Sequence, residues 1–386
     1  MNPWKGLRGL PSAMWVLALS TLVNRMGTMV VFFLALYLVQ DRGWTEAQAA
    51  TALALNGLGA LVASPFSGWA ADRIGHRRTL AWSLGLSGVL LLALPFARER
   101  LVLLALIPLW AGITQAYWPA SAALIADLVP AADRKQAFVL HRLASNLGIA
   151  VGPALGGLVA QVAFSAIFWI DGLTTLAGMA VLLAGLRAPT PAPGGRASAS
   201  AWRDRRLLVF LATLLPGTLV FTQIHGSLPL WVCRGLGHRT ATFGLLLTLN
   251  TVIILALEVD FNRRLASWTH GRQLALGAAF IGLAFGSLAF LRTLPLLAVA
   301  MALLTFGEMA YLPASADAVA ALAPPDRRGE YLGLYSLTWT LAMTLGPWLG
   351  LLAYARPGPP FLWAACAVLG LGGAAAVLPF RQNPGT

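Results

Sequence analysis

Two charged side chains stand near the middle of long apolar stretches, where a group capable of chemistry is most conspicuous. Arg25 lies within residues 12–40 and Glu308 within residues 294–322. A charge at that depth in a membrane costs about 2.5–3.5 kcal/mol, so each residue is a functional candidate. Burial favours the neutral carboxyl of Glu308, whereas a nearby cation favours the carboxylate. Glu308 is therefore our preferred group for taking up and releasing a proton.

Asp171 is a third charged residue in an apolar stretch and our second candidate proton carrier. We expect it, however, to form a structural ion pair with Arg25. Glu308 has the same alternative, a fixed pair with Arg25 or with a polar neighbour. His225 could carry protons near neutral pH, but a lone histidine in a helix is more often a hydrogen-bonded bystander.

The sequence contains no His-Asp, Cys-His or metal-ligand cluster of the kind that supports catalysis. The five histidines are scattered, and Cys233 and Cys366 belong to different apolar stretches. No disulfide framework or metal site is indicated. We therefore predict no enzymatic activity, no metal and no cofactor.

The composition requires much of the surface to face lipid. Of 386 residues, 58% are hydrophobic and 11% are charged, whereas a soluble domain carries about 25% charged residues. The net charge of +13 comes from short basic clusters between apolar stretches. Such clusters do not form a nucleic-acid-binding domain, and membrane topology explains them better.

Charged and Pro/Gly clusters divide the chain into twelve segments of about the length that crosses a bilayer as a helix. With the N-terminus in the cytoplasm, the inner loops hold 18 Lys and Arg residues and the outer loops hold 7. This bias predicts that both termini are cytoplasmic. The fold class is an all-α polytopic membrane protein with helices over 11–40, 46–71, 79–97, 101–129, 135–161, 163–187, 205–233, 240–262, 273–291, 294–322, 331–355 and 360–380.

The two halves of the chain repeat each other at an offset of 194 residues. Residues 117–135 align without a gap over 311–329, and residues 152–156 align over 346–350. A parallel repeat of two six-helix bundles, with a site at their interface, is a transporter architecture. Between the halves, a stretch rich in Pro, Gly, Ser and Ala reads as a flexible linker. The predicted domains are an N-terminal bundle (1–187), a cytoplasmic linker (188–204) and a C-terminal bundle (205–386).

A basic loop follows the second predicted helix and reads GWAADRIGHRR over 68–78. It resembles the loop signature of the major facilitator superfamily, Gly-x-x-x-Asp-Arg-x-Gly-Arg-Arg. With the twelve spans, the half-repeat and the linker, the resemblance covers the whole chain. It implies a gating role for Gly68, Asp72, Arg73, Gly75 and Arg77.

One position departs from that signature. His76 stands where the family usually has a basic residue that bridges to an acid on helix 4, here Asp127. We therefore expect an inner gate that is weaker or sensitive to pH, with Asp127 as one of the gating residues. The second half carries only a reduced copy of the loop, over 262–273.

The fifth predicted helix carries the sequence GIAVGPALGG. Its Gly148, Gly152 and Gly156 share one stripe, where helices can approach closely, and Pro153 kinks the helix. The motif is similar to the helix 5 signature of the superfamily's proton-driven exporters, and a generic packing seam is the alternative. Pro108 stands where these exporters carry an arginine on helix 4, which weakens the transfer of their coupling mechanism.

In the superfamily fold, helices 1, 4, 7 and 10 line a central cavity. The resemblance thus implies that the cavity residues include Arg25, Gln115, Tyr117, Gln223, His225, Glu308 and Tyr311. Aromatic residues near the cavity would provide contact area with little directional demand.

The resemblance is to the twelve-helix drug:proton antiporter branch, and it implies a proton-coupled exporter of small amphipathic molecules, a multidrug-type efflux protein that works by alternating access. An exporter of one secondary metabolite or siderophore stays open, because Arg25 could receive an anionic group, and so does a proton-coupled uptake symporter. We expect a monomer in the bacterial cytoplasmic membrane. Its partners would be a small-molecule substrate, protons and membrane lipids, and not nucleic acid.

The loop motif predicts that Asp72→Asn weakens transport without changing membrane insertion, because the substitution removes a charge but little volume. Transport rate and the amount of protein in the membrane fraction are the two measurements. Normal transport by the variant would mean that the loop serves only as a topology signal.

Overall fold

The computed structural model describes residues 9–130, 133–186, 201–324 and 328–380. The predicted linker residues 188–200 lie outside these ranges. Within them the regular elements are helices, as predicted, and ten segments are long and apolar enough to cross a membrane. The long helices of the described ranges are α1 (Ser12–Asp41), α2 (Glu46–Ile74), α3 (His76–Phe96), α4 (Arg100–Leu128), α5 (Arg134–Val162), α6 (Phe164–Gly185), α7 (Arg205–Gly235), α8 (Thr240–Leu265), α9 (His270–Ser287), α10 (Leu294–Leu322), α11 (Arg328–Ala355) and α12 (Pro359–Val377).

The helices group into two compact units. One unit comprises Met1–Leu34 and Leu55–Gly195, and the other comprises Ala35–Ala54 and Arg196–Thr386. The end of α1 and the start of α2 thus group with the second half of the chain. An ion pair of 2.7 Å between Glu46 Oε1 and Arg234 Nη1 accompanies this grouping.

The first helix is interrupted, where the sequence predicts an unbroken span. α1 is regular to Met26, opens at Gly27, and resumes at Val30. The opening leaves backbone N–H groups without helical partners, and these must be satisfied because lipid offers no acceptor. The Asp171 carboxylate of α6 accepts from the N–H groups of Met29 (3.2 Å) and Val30 (3.1 Å). The second part of α1 is therefore capped by a side chain from another helix.

The corresponding point of α7 is also irregular, but here a side chain of the same helix makes the contact, and it donates to a neighbouring helix instead of accepting from the break. After Phe221 the helix tightens over Thr222–Ile224 and then resumes as an α-helix at Ser227. The amide nitrogen Nε2 of Gln223 donates to the carbonyl of Gly346 on α11 at 2.7 Å. Gln223 thus joins α7 to α11 without a charge.

The packing of α1 on α5 recurs in α7 on α11 at the offset seen in the sequence. A Cβ atom added to Gly156 would meet Met29 and Phe33. One added to Gly350 would meet Gln223 and Ser227, which lie 194 residues after that pair. The halves therefore share their internal register as well as their sequence motifs.

The second half begins with a capped helix. The Asp204 carboxylate Oδ1 accepts from the backbone N–H groups of Arg206 (2.8 Å) and Leu207 (3.3 Å) at the start of α7. The Tyr331 hydroxyl of α11 donates to the other oxygen, Oδ2. That hydrogen bond, which favours the ionised form, holds the pKa of Asp204 below its usual value.

The glycine contacts predict that Gly152→Ala destabilises the protein. Its Cβ would lie 2.8 Å from the Thr28 carbonyl oxygen, a backbone atom that cannot move aside by a rotamer change. We expect a cost of about 1–3 kcal/mol from overpacking, measured as a lower midpoint of thermal unfolding in detergent. Gly372→Ala in α12, where no atom lies within 4 Å of the added Cβ, is the control. Equal midpoints for the two variants would contradict close packing at Gly152.

Candidate functional site

Arg25 of α1 is enclosed by aromatic rings of α4. Its guanidinium carbon Cζ lies 4.7 Å from the ring centroid of Tyr117 and 4.5 Å from that of Trp118. The Tyr117 hydroxyl donates to Thr21 Oγ1 at 3.0 Å, so that ring is fixed in place. Tyr117 is buried, whereas Trp118 is 50% exposed. Cation–π contact thus replaces some of the hydration that the guanidinium loses.

The expected ion pair between Asp171 and Arg25 does not form. Among the described residues no carboxylate oxygen lies within 4.0 Å of the Arg25 guanidinium, and the Asp171 carboxylate instead caps the break in α1. The physical reason is that the break leaves two backbone N–H groups in need of an acceptor, and the carboxylate supplies it. The Asp171 carboxylate therefore bonds to the backbone of α1 and makes no ion-pair contact with Arg25.

Glu308 lies in the middle of α10 and has a neutral partner that the sequence analysis missed. Asn250 of α8 donates through Nδ2 to Glu308 Oε2 at 2.9 Å and to Thr305 Oγ1 at 3.0 Å. Asn250 is buried, with 8% of its surface exposed. A buried amide in an otherwise apolar helix was the sequence signal that could have identified it.

Two other predicted cavity residues use their polar atoms to join helices. The Tyr311 hydroxyl donates to the Leu214 carbonyl at 2.6 Å, and Gln223 bridges to α11 as described. His225 lies in the irregular part of α7 and Gln115 at the end of the first part of α4, and both are half-buried. Tyr311 and Gln223 are therefore packing residues in this structure, in addition to any contact with a substrate.

The loop between α2 and α3 turns at Gly75. Its φ of +88° lies in the left-handed region, which an L-residue rarely adopts. Arg77 then donates through Nη2 to the Leu183 carbonyl of α6 at 3.0 Å. The turn thus directs one basic residue of the loop onto a neighbouring helix.

The other gating residues predicted in this loop lie on α2. Gly68, Asp72 and Arg73 all belong to that helix, and Arg73 is exposed. The Asp72 side chain lies outside the described residues, so its gating role stays a prediction.

His76 contacts Asp127, the acid to which the resemblance points, and the expected weakness or pH sensitivity of this gate stays a prediction. Nδ1 of His76, at the start of α3, contacts Oδ2 of Asp127 on α4 at 2.5 Å. The reduced copy of the loop has the same kind of contact, with 2.9 Å between His270 Nε2 on α9 and Asp317 Oδ2 on α10. His270 is the residue 194 positions after His76. The histidines thus occupy equivalent positions, whereas Asp317 lies one helical turn before the equivalent of Asp127, which is Ala321.

Close helix packing surrounds Pro108, which stands where an arginine was expected. A Cβ on Gly59 of α2 would lie 2.7 Å from the Pro108 Cα atom, so the backbones of α2 and α4 are nearly in contact. At the position where the exporters carry an arginine, this chain thus has Pro108, at a point where α2 and α4 approach each other closely.

The glycine stripe of α5 packs against α1 in the same way. A Cβ added to Gly148 or Gly152 would meet the Arg25 region of α1, and Pro153 lies within the helix. The stripe is thus a packing seam in this structure, and its part in gating stays a prediction.

No group of three metal-ligating side chains occurs in the described part of the chain. What the geometry provides is a set of apolar helices long enough to span a membrane, with a cation in one unit and a carboxyl in the other. This arrangement is that of a polytopic α-helical membrane protein.

Comparison with known proteins gives the family. Residues 17–269 and 261–386 match the sequence profile described as Major Facilitator Superfamily, and the chain belongs to that family. It is 26% identical over 362 residues to a Na(+), Li(+), K(+)/H(+) antiporter of Planococcus maritimus, covering 83% of this chain and 84% of that one. It is 27% identical over 342 residues to the multidrug resistance protein MdtH of Aeromonas salmonicida, covering 86% and 85%.

A solved structure has the same fold. The crystal structure of a mutant of the peptide transporter POT superposes with a TM-score of 0.78 at 18% sequence identity, covering 96% of this chain and 94% of that one.

The two His–Asp contacts differ in exposure, and this difference predicts unequal effects on stability. The Asp127 side chain is 7% exposed and that of Asp317 is 61% exposed. Asp127→Ala leaves a half-buried imidazole without its partner and should cost about 3 kcal/mol. Asp317→Ala should cost less, about 1–2 kcal/mol, because the solvated carboxylate contributes little by itself and the remaining cost is that of the His270 imidazole, which is 1% exposed and loses its partner. Thermal unfolding of both variants in detergent is the measurement. An equal or reversed order would mean that the contact to His76 does not support the fold.

Proposed function

We propose that the protein is a proton-coupled exporter of small amphipathic molecules that works by alternating access. The observation that carries the proposal is the carboxyl of Glu308, which lies in the middle of α10 and accepts from the neutral amide of Asn250. A neutral donor orients the carboxyl in both its protonated and ionised forms. Burial favours the protonated form and polar neighbours favour the ionised form, so the group can exchange a proton as its surroundings change.

Asp171 is the weaker of the two candidate carriers. Both N–H groups at the break of α1 donate to Oδ2, so a proton on Oδ1 would leave their acceptor in place but make it weaker, because a neutral carboxyl accepts less strongly than a carboxylate. The contact of Glu308 described above is to a side chain, which can rotate as the carboxyl changes its protonation state. We therefore assign the proton to Glu308 and a structural role to Asp171.

The direction of transport is supported by the relatives. One is named for multidrug resistance and another for cation/proton antiport, and both names fit a substrate that moves outward. We infer the same for this chain, in a bacterial cytoplasmic membrane, as a monomer with both termini in the cytoplasm. In this proposal the loop with Asp72, Arg73 and Arg77 and the seam of Gly148, Gly152 and Gly156 take part in gating.

The central test uses Glu308→Gln in proteoliposomes with an imposed pH gradient. An antiporter accumulates substrate when the interior is acidic, because protons leaving the vesicle drive substrate inward. We expect the variant to lose this accumulation and to retain binding, because the amide keeps the shape of the carboxyl. Substrate affinity should vary with pH in the native protein and be flat in the variant. Ethidium, tetracycline, sodium and potassium serve as probes.

Glu99→Gln, an exposed acid at the start of α4, is the matched control and should transport normally. Gradient-driven accumulation by Glu308→Gln would exclude Glu308 as the carrier. Accumulation only when the exterior is acidic would instead identify an uptake symporter. Accumulation of the metal cations alone would identify a cation/proton antiporter.

A further inference from the structure

Arg25 is a cation at membrane depth that makes no ion-pair contact in the described part of the chain, although Asp171 lies close enough to interact with it electrostatically. No carboxylate lies within ion-pair distance of it among those residues, and its Nε atom is buried there without a hydrogen-bond partner. Asp171, the acid on the neighbouring α6, accepts from the backbone of α1. A charge of this kind is normally paired, or it marks the path of a substrate.

The aromatic rings hold the guanidinium without using its hydrogen-bond donors. Tyr117 and Trp118 contact Arg25 by cation–π interaction, with centroid distances of 4.7 and 4.5 Å. Tyr117 is fixed on one side by its hydroxyl bond to Thr21 and on the other by the ring of His141, which stacks on it at 6.5 Å. A guanidinium presents its N–H groups in its own plane as a rigid fork that matches a carboxylate. The rings thus hold the guanidinium through its carbon face and do not use its N–H groups.

The fold does not need this cation. The residue 194 positions later, on α7, is Leu219, and the equivalent of Trp118 is Leu312. The surrounding packing is nevertheless repeated, since a Cβ on Gly152 would meet Thr28 in one half and a Cβ on Gly346 would meet Thr222 in the other. The Arg25 and Trp118 pair is therefore an addition to the repeat in the first half alone.

We propose that Arg25, Tyr117 and Trp118 form a binding site for the carboxylate of an anionic amphipathic substrate. Arg25 donates to the carboxylate, Tyr117 keeps the guanidinium in place, and the half-exposed indole of Trp118 contacts the apolar part of the substrate. The inference rests on the proposed transport function and specifies its substrate class. The anionic headgroup of a lipid has the same chemistry and is the other source of such a ligand.

Paired probes separate charge from shape. Each pair is an aryl carboxylate and its neutral amide: 1-naphthylacetate with 1-naphthylacetamide, 4-phenylbutyrate with 4-phenylbutyramide, and salicylate with salicylamide. Binding is measured by equilibrium dialysis to the full chain in nanodiscs, without a proton gradient. We expect the native protein to bind at least one carboxylate about tenfold more tightly than its amide, the factor typical of a charge-assisted bidentate contact.

Substitutions then assign that preference to Arg25. Arg25→Gln should bring the carboxylate and amide affinities together, and Arg25→Lys should reduce the preference, because an ammonium is a point charge without the fork. Trp118→Leu should weaken both members of a pair and leave a carboxylate preference. Arg42→Gln is the matched control, because Arg42, the residue that follows α1, also lies over a tyrosine, Tyr37, and the variant should bind as the native protein does. If Arg25→Gln does not fold, Arg25→Lys and Trp118→Leu decide the question.

The proposal is overturned if the native protein prefers no carboxylate, or if the folded Arg25 variants keep the full preference. It is also overturned if the preference exists in nanodiscs of zwitterionic lipid but disappears with anionic lipid present, because the lipid headgroup would then be the natural ligand. Failure of Glu308→Gln to block gradient-driven transport would remove the export proposal and leave this binding site intact. The two hypotheses can thus fail separately.

Discussion

A helix that opens inside a lipid bilayer must find acceptors for its released N–H groups, because lipid supplies none. In α1 the N–H groups of Met29 and Val30 both donate to one carboxylate, that of Asp171. This contact sets where the break falls, holds α6 against α1, and fixes the turn that carries Arg25. The glycine seam of α5 then packs against the same part of α1. In the first unit, α5 and α6 therefore both pack against the part of α1 whose break is capped by Asp171.

The two halves share their packing and differ in their charges. Arg25 corresponds to Leu219 in the second half, and Glu308 corresponds to Thr114 in the first. Asn250 has an equivalent, Asn56, but the Nδ2 atom of Asn56 is buried without a hydrogen-bond partner in the described chain. The repeat places the same helix packing in both halves. In our proposal, by contrast, the protein has one anion-binding cation and one proton-carrying acid. The polar groups that break the repeat are therefore the strongest functional candidates.

The sequence predicts what depends on periodicity or repetition, namely the helices and the half-repeat, and the family resemblance points to Asp127 as the acid beside the loop. It does not predict the break in α1, because a carboxylate that bonds to backbone 142 residues away leaves no periodic trace. The predicted ion pair of Asp171 with Arg25 rested on the free-energy cost of a buried charge without a partner. It was wrong because aromatic faces can hold a guanidinium, and because backbone groups compete for the acid. The contact of His270 was obscured by a degenerate loop motif.

The Asp171 cap also imposes an order on biosynthesis. The acid that completes α1 enters the growing chain 142 residues after Met29, a delay of roughly 7–30 s at translation rates of about 5–20 residues per second. During that interval the opened turn of α1 lacks the acceptor for its N–H groups. The rings of Tyr117 and Trp118, which contact Arg25, are also synthesised after α1. The nascent helix must therefore wait beside water or the insertion machinery, and it enters lipid fully only when α6 has been synthesised.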